Sequence, residues 1–506
     1  MRVRAQTHGR SRPGAAGRLL PRRAVLGAVG AAALSACSAP ACPAGRGCSP
    51  AGGSAGTVLL DIADDTGQLL AFDQMRRIQS NGAGSEGHDD VLLETGSLRA
   101  VVEGPLEEGR EATAALELPA GGPWTLNLSW PTSHGYSALM ADLPGPGRYA
   151  LAELAARGLH ARQGERLAAA ALTAEPDLAS QRQTTATALA RCEAAAGPQE
   201  RAQLGAQALE SAAAAQLLLD SQAVALAPAD ALVGVTLTSP PSADQSGDLD
   251  LLKNGGRQPA ARIVIEDPFD EEEMTLWERS VTELQDRGVV VVGQVCDSTA
   301  MAGLDDDAWR ARVDRLLERL GPVDAWEVGN ELGGDWLGQD AVERVRHAAT
   351  SVRRAGGATT LLTLYHQLGQ GAVEHSVVTW AQDNLDPELK EMIDVVGLSV
   401  YPQWHPLGTA ADRVLGAVGE LFSTQRLAVL ELGYGGEDLD PGPWWFGSPD
   451  DLAAGRHAVA RHVTAAALGR PRAWGAPFWW YYLEDEAPGA AGGPVHEDLT
   501  QAAEHG

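Results

Sequence analysis

Two glutamates in the second half of the chain stand where apolar segments end. Glu331 closes the segment AWEVGNE, and Glu431 lies near the end of the segment RLAVLELGY. Two carboxyl groups held close together can divide the work of bond cleavage, because one can stay protonated and donate a proton while the other stays ionised and attacks a carbon atom. The pair is the first candidate for chemistry, provided that the fold brings the two side chains together.

The segments that carry the glutamates belong to an alternation of strand-like and helix-like patterns over residues 229–506. Amphipathic stretches separate most of the strand candidates, and such alternation indicates a parallel sheet. Eight strands in this length predict an α/β fold, a (β/α)8 TIM barrel. A doubly wound open sheet is the alternative, which no GxGxxG or Walker pattern supports. The eight candidates are LVGVTLTS, RIVIED, VVVVGQVCD, DAWEVGNE, TLLTLYHQ, DVVGLSVYP, RLAVLELGY and APFWWYYLE.

The functional side chains of a TIM barrel lie at the C-terminal ends of its strands. Glu331 ends the fourth predicted strand and Glu431 the seventh, so a barrel would place both at its mouth. His366 ends the fifth strand and is a candidate substrate contact. Trp404 and His405 lie in the loop after the sixth strand, and aromatic faces at a barrel mouth suit a sugar subsite.

Two other regions precede the predicted barrel. Residues 57–149 alternate apolar and polar positions in short runs broken by Gly and Pro, which predicts a small β-sandwich. Its aromatic residues Trp124, Trp130 and Tyr136 are interpreted as core in preference to a sugar-stacking surface. Residues 150–228 are Ala-rich with helical periodicity and predict a helical connector.

The N-terminus has the pattern of an export signal over residues 1–36. A pair of arginines precedes the apolar run AVLGAVGAAAL, as in a twin-arginine signal, and the run ends in LSAC. LSAC resembles a bacterial lipobox, which predicts lipidation at Cys37 and anchoring to the outer face of the bacterial cell membrane. A plain secretory signal is the alternative. Residues 37–56 read as a flexible tether, in which Cys42 and Cys48 are candidates for pairing outside the cell.

Composition limits the partners. The formal net charge is −28, which argues against nucleic acid and against anionic membrane surfaces. The acidity suits an exported monomer that handles a neutral substrate. Neither CxxC pairs nor Cys/His spacings typical of zinc sites occur, so we expect no metal and no cofactor.

The strand ends resemble those of the clan A retaining glycoside hydrolases. In that clan an Asn-Glu pair ends strand four and a Glu ends strand seven, and Asn330, Glu331 and Glu431 match these positions. The resemblance implies that Glu331 is the acid/base and Glu431 the nucleophile. It also implies that Asn330 binds the substrate 2-hydroxyl and that Tyr401 hydrogen-bonds the nucleophile.

The resemblance extends to strands six and eight. The stretch DVVGLSVYPQWHPLG is similar to strand six of the family 53 endo-β-1,4-galactanases, and Trp479 and Trp480 fall where the clan keeps a Trp under the sugar. Strand two departs from the family, because the segment RIVIED puts Arg262 at the end of the strand away from the mouth.

The resemblance implies a glycoside hydrolase that retains configuration and acts on a β-linked polysaccharide or oligosaccharide. Galactan is the named possibility, and xylan, mannan and β-glucan stay open. A transglycosylase using the same carboxylates and a non-catalytic glycan-binding lipoprotein are the alternatives.

Overall fold

A computed structural model describes residues 55–64, 66–82, 90–321, 323–436, 442–487 and 493–504. The predicted export signal and all but the last two residues of the tether lie outside the described residues, and so do Cys37, Cys42 and Cys48. None of the helices in the described ranges combines the length and the apolar character that a bilayer-spanning segment requires.

The second half of the chain folds into a closed barrel of eight parallel strands, which confirms the predicted fold class. The barrel strands follow one another around the ring in chain order, and the last strand pairs with the first. They are β9 (Leu232–Leu237), β10 (Gln258–Ile263), β11 (Val290–Gln294), β12 (Ala325–Leu332), β13 (Thr359–Tyr365), β14 (Val395–Val400), β15 (Arg426–Leu432) and β16 (Ala473–Trp479).

Helices cover the outside of the barrel because each presents one apolar stripe to the strands. In α6, for example, Met274, Trp277, Val281 and Leu284 are buried, and the Asp270 side chain caps the first turn by accepting from the Glu272 and Glu273 amides at 2.9 and 3.1 Å. The helices of this part are α5 (Ala243–Asp248), α6 (Glu271–Asp286), α7 (Ser298–Met301), α8 (Asp306–Arg319), α9 (Ala341–Ala355), α10 (Val377–Asn384), α11 (Pro387–Glu391), α12 (Ala411–Leu421), α13 (Leu452–Leu468), α14 (Tyr482–Asp485) and α15 (His496–Glu504).

The barrel interior is a packed core and not a pore. A cluster of buried apolar side chains, separate from the one under the helices, draws on every barrel strand. Its members are Leu232, Ala260, Val292, Ala325, Leu361, Val395, Ala428, Leu430, Trp474 and Phe478.

The N-terminal region contains two four-stranded sheets that share one core. One sheet has the order β4-β5-β1-β8, and the other, fully antiparallel, has the order β3-β2-β6-β7. Trp124 and Trp130 are each 8% exposed within this core, which confirms their interpretation as core residues. Tyr136 is also buried, at 4% exposed, but it is not part of this cluster: its ring meets Trp445 edge-on and its hydroxyl donates to the Ile78 carbonyl. The elements are β1 (Gly56–Asp61), α1 (Phe72–Gln79), β2 (Val91–Glu94), β3 (Ala100–Glu103), β4 (Glu107–Glu108), β5 (Ala114–Leu118), β6 (Trp124–Thr132), β7 (Gly135–Leu143) and β8 (Gly147–Ala150).

Three long helices connect the sheets to the barrel: α2 (Leu151–Ala169), α3 (Pro176–Glu193) and α4 (Pro198–Gln222). Helices α3 and α4 begin with proline, whose fixed φ suits the first turn. Arg166 of α2 joins α4 and the barrel. Arg166 donates to Asp220 at 2.5 Å, lies 3.3 Å from Asp412 and also donates to the carbonyl of Gly469 at 2.9 Å.

The sheets dock onto loops at the barrel mouth. The Tyr136 amide donates to the Trp445 carbonyl at 2.8 Å, and the Trp444 indole donates to the Gln79 carbonyl at 2.8 Å. The Thr409 amide donates to Ser137 Oγ at 3.2 Å. The N-terminal region therefore holds the loops that follow barrel strands six and seven.

Candidate active site

The ends of strands four, six and seven bring the two glutamates together. Glu331 in β12 is 7% exposed and Glu431 in β15 is 3% exposed. The hydroxyl of Ser399 in β14 lies between them, 2.7 Å from Glu331 Oε1 and 3.4 Å from Glu431 Oε1. Because a third side of a triangle cannot exceed the other two combined, these Oε1 atoms are at most 6.1 Å apart.

Glu331 is held in a strained backbone conformation. Its φ is +53°, in the left-handed region that non-glycine residues rarely adopt, and the pairing of β12 with β13 shifts register on either side of Gly329. The carboxylate accepts from Ser298 Oγ at 2.5 Å and from Ser399 Oγ at 2.7 Å. Strain of this kind persists only where the surrounding contacts fix it, and it is common at active sites.

Glu431 accepts three hydrogen bonds from three different strands or strand ends. Arg262 Nη2 donates to Oε2 at 2.8 Å, Asn330 Nδ2 donates to Oε2 at 3.1 Å, and the Tyr401 hydroxyl donates to Oε1 at 2.7 Å. One of the donors is a full cation. All three favour the ionised carboxylate.

The two carboxyl groups differ in their affinity for a proton. Burial, and then the negative charge of Glu431, holds the pKa of Glu331 well above its usual range. Burial also raises the pKa of Glu431, but Arg262 and the Tyr401 hydroxyl oppose the rise. When the pair carries one proton, the proton therefore resides on Glu331 and Glu431 is the ionised partner.

The structure corrects the sequence prediction for Arg262. Strand β10 spans Gln258–Ile263 and not the segment RIVIED, so Arg262 lies near its C-terminal end, inside the mouth. The side chain is 0% exposed and donates to Glu431 and, through Nε at 2.7 Å, to Glu327 Oε2. The error came from placing the strand about four residues too late. Glu266 and Asp267 are consequently exposed loop residues beyond the strand.

Glu327 was not predicted as a site residue. It is 1% exposed in β12, four residues before Glu331, and it forms an ion pair with Arg262. Thr363 donates a short hydrogen bond to it, and Asn330 Nδ2 approaches its Oε1 at 3.4 Å. A buried acid inside an apolar strand was the available signal, because burial demands a charged partner. Ser399 had a signal as well, since it shares a strand face with Tyr401 two residues later.

The structure also corrects the prediction for Trp479. This side chain is 0% exposed, packs in the apolar cluster under the helices and donates its indole N–H to Asp485 Oδ2 at 2.7 Å, so it has no face for a sugar. Its neighbour Trp480 is half-buried, and the Arg262 guanidinium lies 5.6 Å from its ring centroid. Of the two tryptophans, only Trp480 is placed to contact a ligand near Glu431.

Aromatic side chains line the side of strands five and six. Trp404 lies 5.3 Å from the Tyr401 ring, and His405 meets the Tyr365 ring edge-on at 5.4 Å. Both Trp404 and His405 are partly exposed. Tyr365, at the end of β13, was not predicted; burial and the charges of Glu331 and Glu431 raise the pKa of its phenol, as expected for a group beside the carboxylates.

His366 is 1% exposed at the end of strand five. Burial lowers its pKa to about 4, so the ring is neutral near pH 7. Its role in substrate binding stays a prediction.

Among the described residues, no group of three or more His, Cys, Asp or Glu side chains is placed to hold a metal ion. Cys192 and Cys296, the cysteines that the described ranges contain, are both buried free thiols.

Comparison with known proteins gives distant likenesses. No family profile matches the chain, and no curated protein does. A family 113 β-1,4-mannanase structure is 12% identical, with 54% of this chain and 99% of that chain covered and a TM-score of 0.38. A thermostable mutant of a xylanase from Cellvibrio japonicus is 16% identical, with 56% and 99% covered and a TM-score of 0.38. A family 1 β-glucosidase from Thermotoga maritima is 12% identical, with 48% and 77% covered and a TM-score of 0.32.

Proposed function

We propose that the protein is a retaining glycoside hydrolase that cleaves β-linked polysaccharide or oligosaccharide. The observation that carries the proposal is the spacing of the carboxyl groups, whose Oε1 atoms share Ser399 and lie at most 6.1 Å apart. Retaining enzymes hold their two carboxyl groups about 5–5.5 Å apart, whereas inverting enzymes leave about 6.5–9.5 Å for a water molecule. The spacing supports direct attack by a carboxylate.

The proposed reaction has two steps. In the first, a Glu431 oxygen bonds to the anomeric carbon while the bond from that carbon to the leaving oxygen breaks, and Glu331 gives its proton to that oxygen. In the second, a water oxygen bonds to the anomeric carbon as the bond to Glu431 breaks, and Glu331 takes the water proton. Each carboxyl group then returns to its starting state, and the sugar keeps its β configuration.

The surrounding residues fit these roles. The cation of Arg262 and the Tyr401 hydroxyl keep Glu431 ionised and fix its orientation. Burial and the nearby Glu431 charge keep Glu331 protonated near neutral pH. Asn330 Nδ2 lies 3.1 Å from Glu431 Oε2, next to the anomeric centre, where a substrate 2-hydroxyl would be in reach. The Asn330 contact with that hydroxyl would gain strength as charge develops in the transition state.

Partly exposed aromatic side chains around the carboxylates suit a neutral sugar. Trp404 and Trp480 offer ring surface near Tyr401 and Arg262, respectively. Apolar ring faces with a few convergent polar groups are typical of small-molecule sites. Galactan is the first candidate substrate, because the stretch that begins at Asp394 is similar to strand six of the galactanases. Xylan, mannan and β-glucan are the alternative substrates.

We also propose that the chain acts outside the cytoplasm, exported through its paired arginines and anchored by a lipid on Cys37. The support is the sequence of residues 1–37 alone. An external enzyme would meet polymers too large to enter a cell, and the acidic chain would stay in solution above the anionic membrane surface.

The test is reducing-sugar release from galactan, arabinoxylan, mannan and β-glucan. The wild type is compared with Glu331→Ala, Glu431→Ala and the control Glu343→Ala, which removes an acid whose side chain is 75% exposed on α9. We expect release by the wild type and the control from one substrate class, with losses of several orders of magnitude in both site variants. Binding without release would favour a glycan-binding protein, and oligosaccharides longer than the substrate would favour a transglycosylase. Release unchanged in the site variants would refute the assignment.

A further inference from the structure

Trp336 is an aromatic side chain left in contact with solvent. In the part of the chain that the structure describes, the exposed aromatic side chains are Trp336, at 37%, and Phe269, at 54%. Single exposed apolar side chains are ordinary on protein surfaces and need no function. Trp336 differs from Phe269 in how it is held and in what it stands beside.

The loop that carries Trp336 begins at the proposed acid. The Gly334 amide donates to the Glu331 carbonyl at 3.1 Å, which closes a turn directly after the strained residue. The indole packs against Gly334, because a Cβ atom built there would sit 2.6 Å from the ring. The Tyr365 ring is nearly perpendicular to the indole, with centroids 4.9 Å apart and planes at 84°. These two contacts fix the indole while 37% of the side chain stays exposed.

Tyr365 ties the indole to the centre of the site. The charges of Glu331 and Glu431 contribute, after burial, to raising the pKa of its phenol, and its ring contacts both Trp336 and His405. Trp336 is thus one aromatic ring removed from the carboxylates. Phe269 has no such connection and follows strand two on an exposed loop.

A second aromatic surface stands on the opposite side of the mouth. Trp480 follows β16 and lies beside Arg262 of β10, and these strands flank β9 in the closed ring. Strand β12, which leads to Trp336, is four strands from β16 and therefore diametrically across the barrel. Glu331, which would protonate the leaving oxygen, is on the Trp336 side.

We infer that Trp336 is a binding platform for the leaving group and that this group is a carbohydrate ring, whose apolar face stacks on the indole. The inference rests on the proposed function. A substrate spanning both aromatic surfaces would place the bond to be broken between them, above the carboxylates. The enzyme then cleaves bonds between sugars and gains binding energy from the sugar that departs. The same platform receives a sugar acceptor whenever sugar replaces water in the second step.

The test compares two leaving groups. The probes are β-1,4-linked tetrasaccharides of galactose, xylose, mannose and glucose, and the β-glycosyl fluorides of the same sugars, whose leaving group has no ring. For Trp336→Ala we expect kcat/KM on the cleaved tetrasaccharide to fall roughly 10- to 100-fold and on the fluoride to fall at most about threefold, since each tenfold corresponds to about 1.4 kcal/mol of lost binding. The control Phe269→Ala should leave both unchanged. Equal losses on both probes, or none on either, would overturn the platform.

A binding measurement keeps this inference separate from the proposed function. Calorimetric titration of the four tetrasaccharides is made into Glu331→Gln protein, with and without Trp336→Ala. Affinity that drops about tenfold or more without Trp336 supports the platform, even if the wild type hydrolyses nothing and the proposed function fails. Affinity that does not depend on Trp336 overturns the platform, even if hydrolysis is established.

Discussion

Replacing Arg262 by methionine removes the only cation that contacts Glu431 among the described residues. Arg262 is fully buried and pairs with Glu431 at 2.8 Å and with Glu327 at 2.7 Å. Removing one partner of a buried pair costs about 3–5 kcal/mol, because the remaining charge has neither water nor counter-ion. A buried carboxylate escapes this cost by binding a proton. The variant should therefore hold Glu431 protonated at pH values where the wild type has it ionised.

The protonated form cannot attack, so the expected loss of kcat is roughly 100- to several-thousand-fold near neutral pH, at about 1.4 kcal/mol per tenfold. The direction of the pH effect follows from the proposed role of Glu431 as the nucleophile. A nucleophile must lose its proton, so activity rises with pH through its pKa, and a higher pKa moves the acid limb of the profile to higher pH. The assay is a pH profile of kcat/KM on the substrate class that the wild type cleaves.

Arg312→Met is the matched control. Arg312 is another buried arginine near the mouth, 7% exposed, but it donates to the backbone carbonyls of Val295 at 2.7 Å and Glu266 at 3.0 Å and to neither glutamate of the pair. Its loss should lower the melting temperature and leave the acid limb in place. A folded Arg262→Met protein with an unmoved acid limb would refute the electrostatic reasoning.

Three further substitutions test the charge and orientation of Glu431 and the anchoring at Cys37. Glu327→Gln removes a negative charge that raises the pKa of Glu431, so the acid limb should move to lower pH, opposite to the Arg262 variant; a shift to higher pH in a folded variant would contradict this. Tyr401→Phe deletes a hydrogen bond of 2.7 Å to a charged group, and such bonds contribute about 1.5–3 kcal/mol, so kcat should fall roughly 10- to 100-fold; an unchanged kcat in a folded variant would mean that the bond does not orient the nucleophile. Cys37→Ser should move the protein from the membrane fraction to the soluble fraction of the producing cells, and continued membrane association would rule out anchoring at that residue.

The barrel and its glutamates were predictable because their signals are local. Eight apolar segments alternate with amphipathic ones, and the strand ends then follow from where each apolar run stops. Glu331 and Glu431 each lie at the end of an apolar run, so the parallel barrel topology alone places both at the same end of the barrel. Tyr401 could be placed in the same way, one residue beyond the sixth strand.

Arg262 could not be placed because the signal for its strand is weak. The sequence QPAARI contains a proline, which lacks an amide donor, and four small or polar residues, none of which favours a strand. The segment RIVIED is more apolar, so it was predicted as the second strand instead. A displacement of a few residues along a strand moves a side chain from one end of the barrel to the other.

The choice between Trp479 and Trp480 depends on an irregular strand end. The pairing of β16 with β9 shifts register between Pro477 and Trp479, and Phe478 has a φ of +51°. Simple alternation of faces fails at such a point, so sequence alone does not tell which tryptophan is buried. The contacts of Ser298 and Ser399 with Glu331 could not be predicted either, because each joins residues that are distant in the chain.

The assignment of roles to the two glutamates is tested most directly by chemical rescue with azide. Glu331→Ala and Glu431→Ala are each given the β-glycosyl fluoride of the cleaved sugar in sodium azide, and the configuration of the glycosyl azide is read by proton NMR. Glu331→Ala should give β-azide, because azide attacks the intermediate on Glu431. Glu431→Ala should give α-azide, because azide enters the vacated space and displaces fluoride in one step. The reverse pattern, or β-azide from both variants, would contradict the assignment.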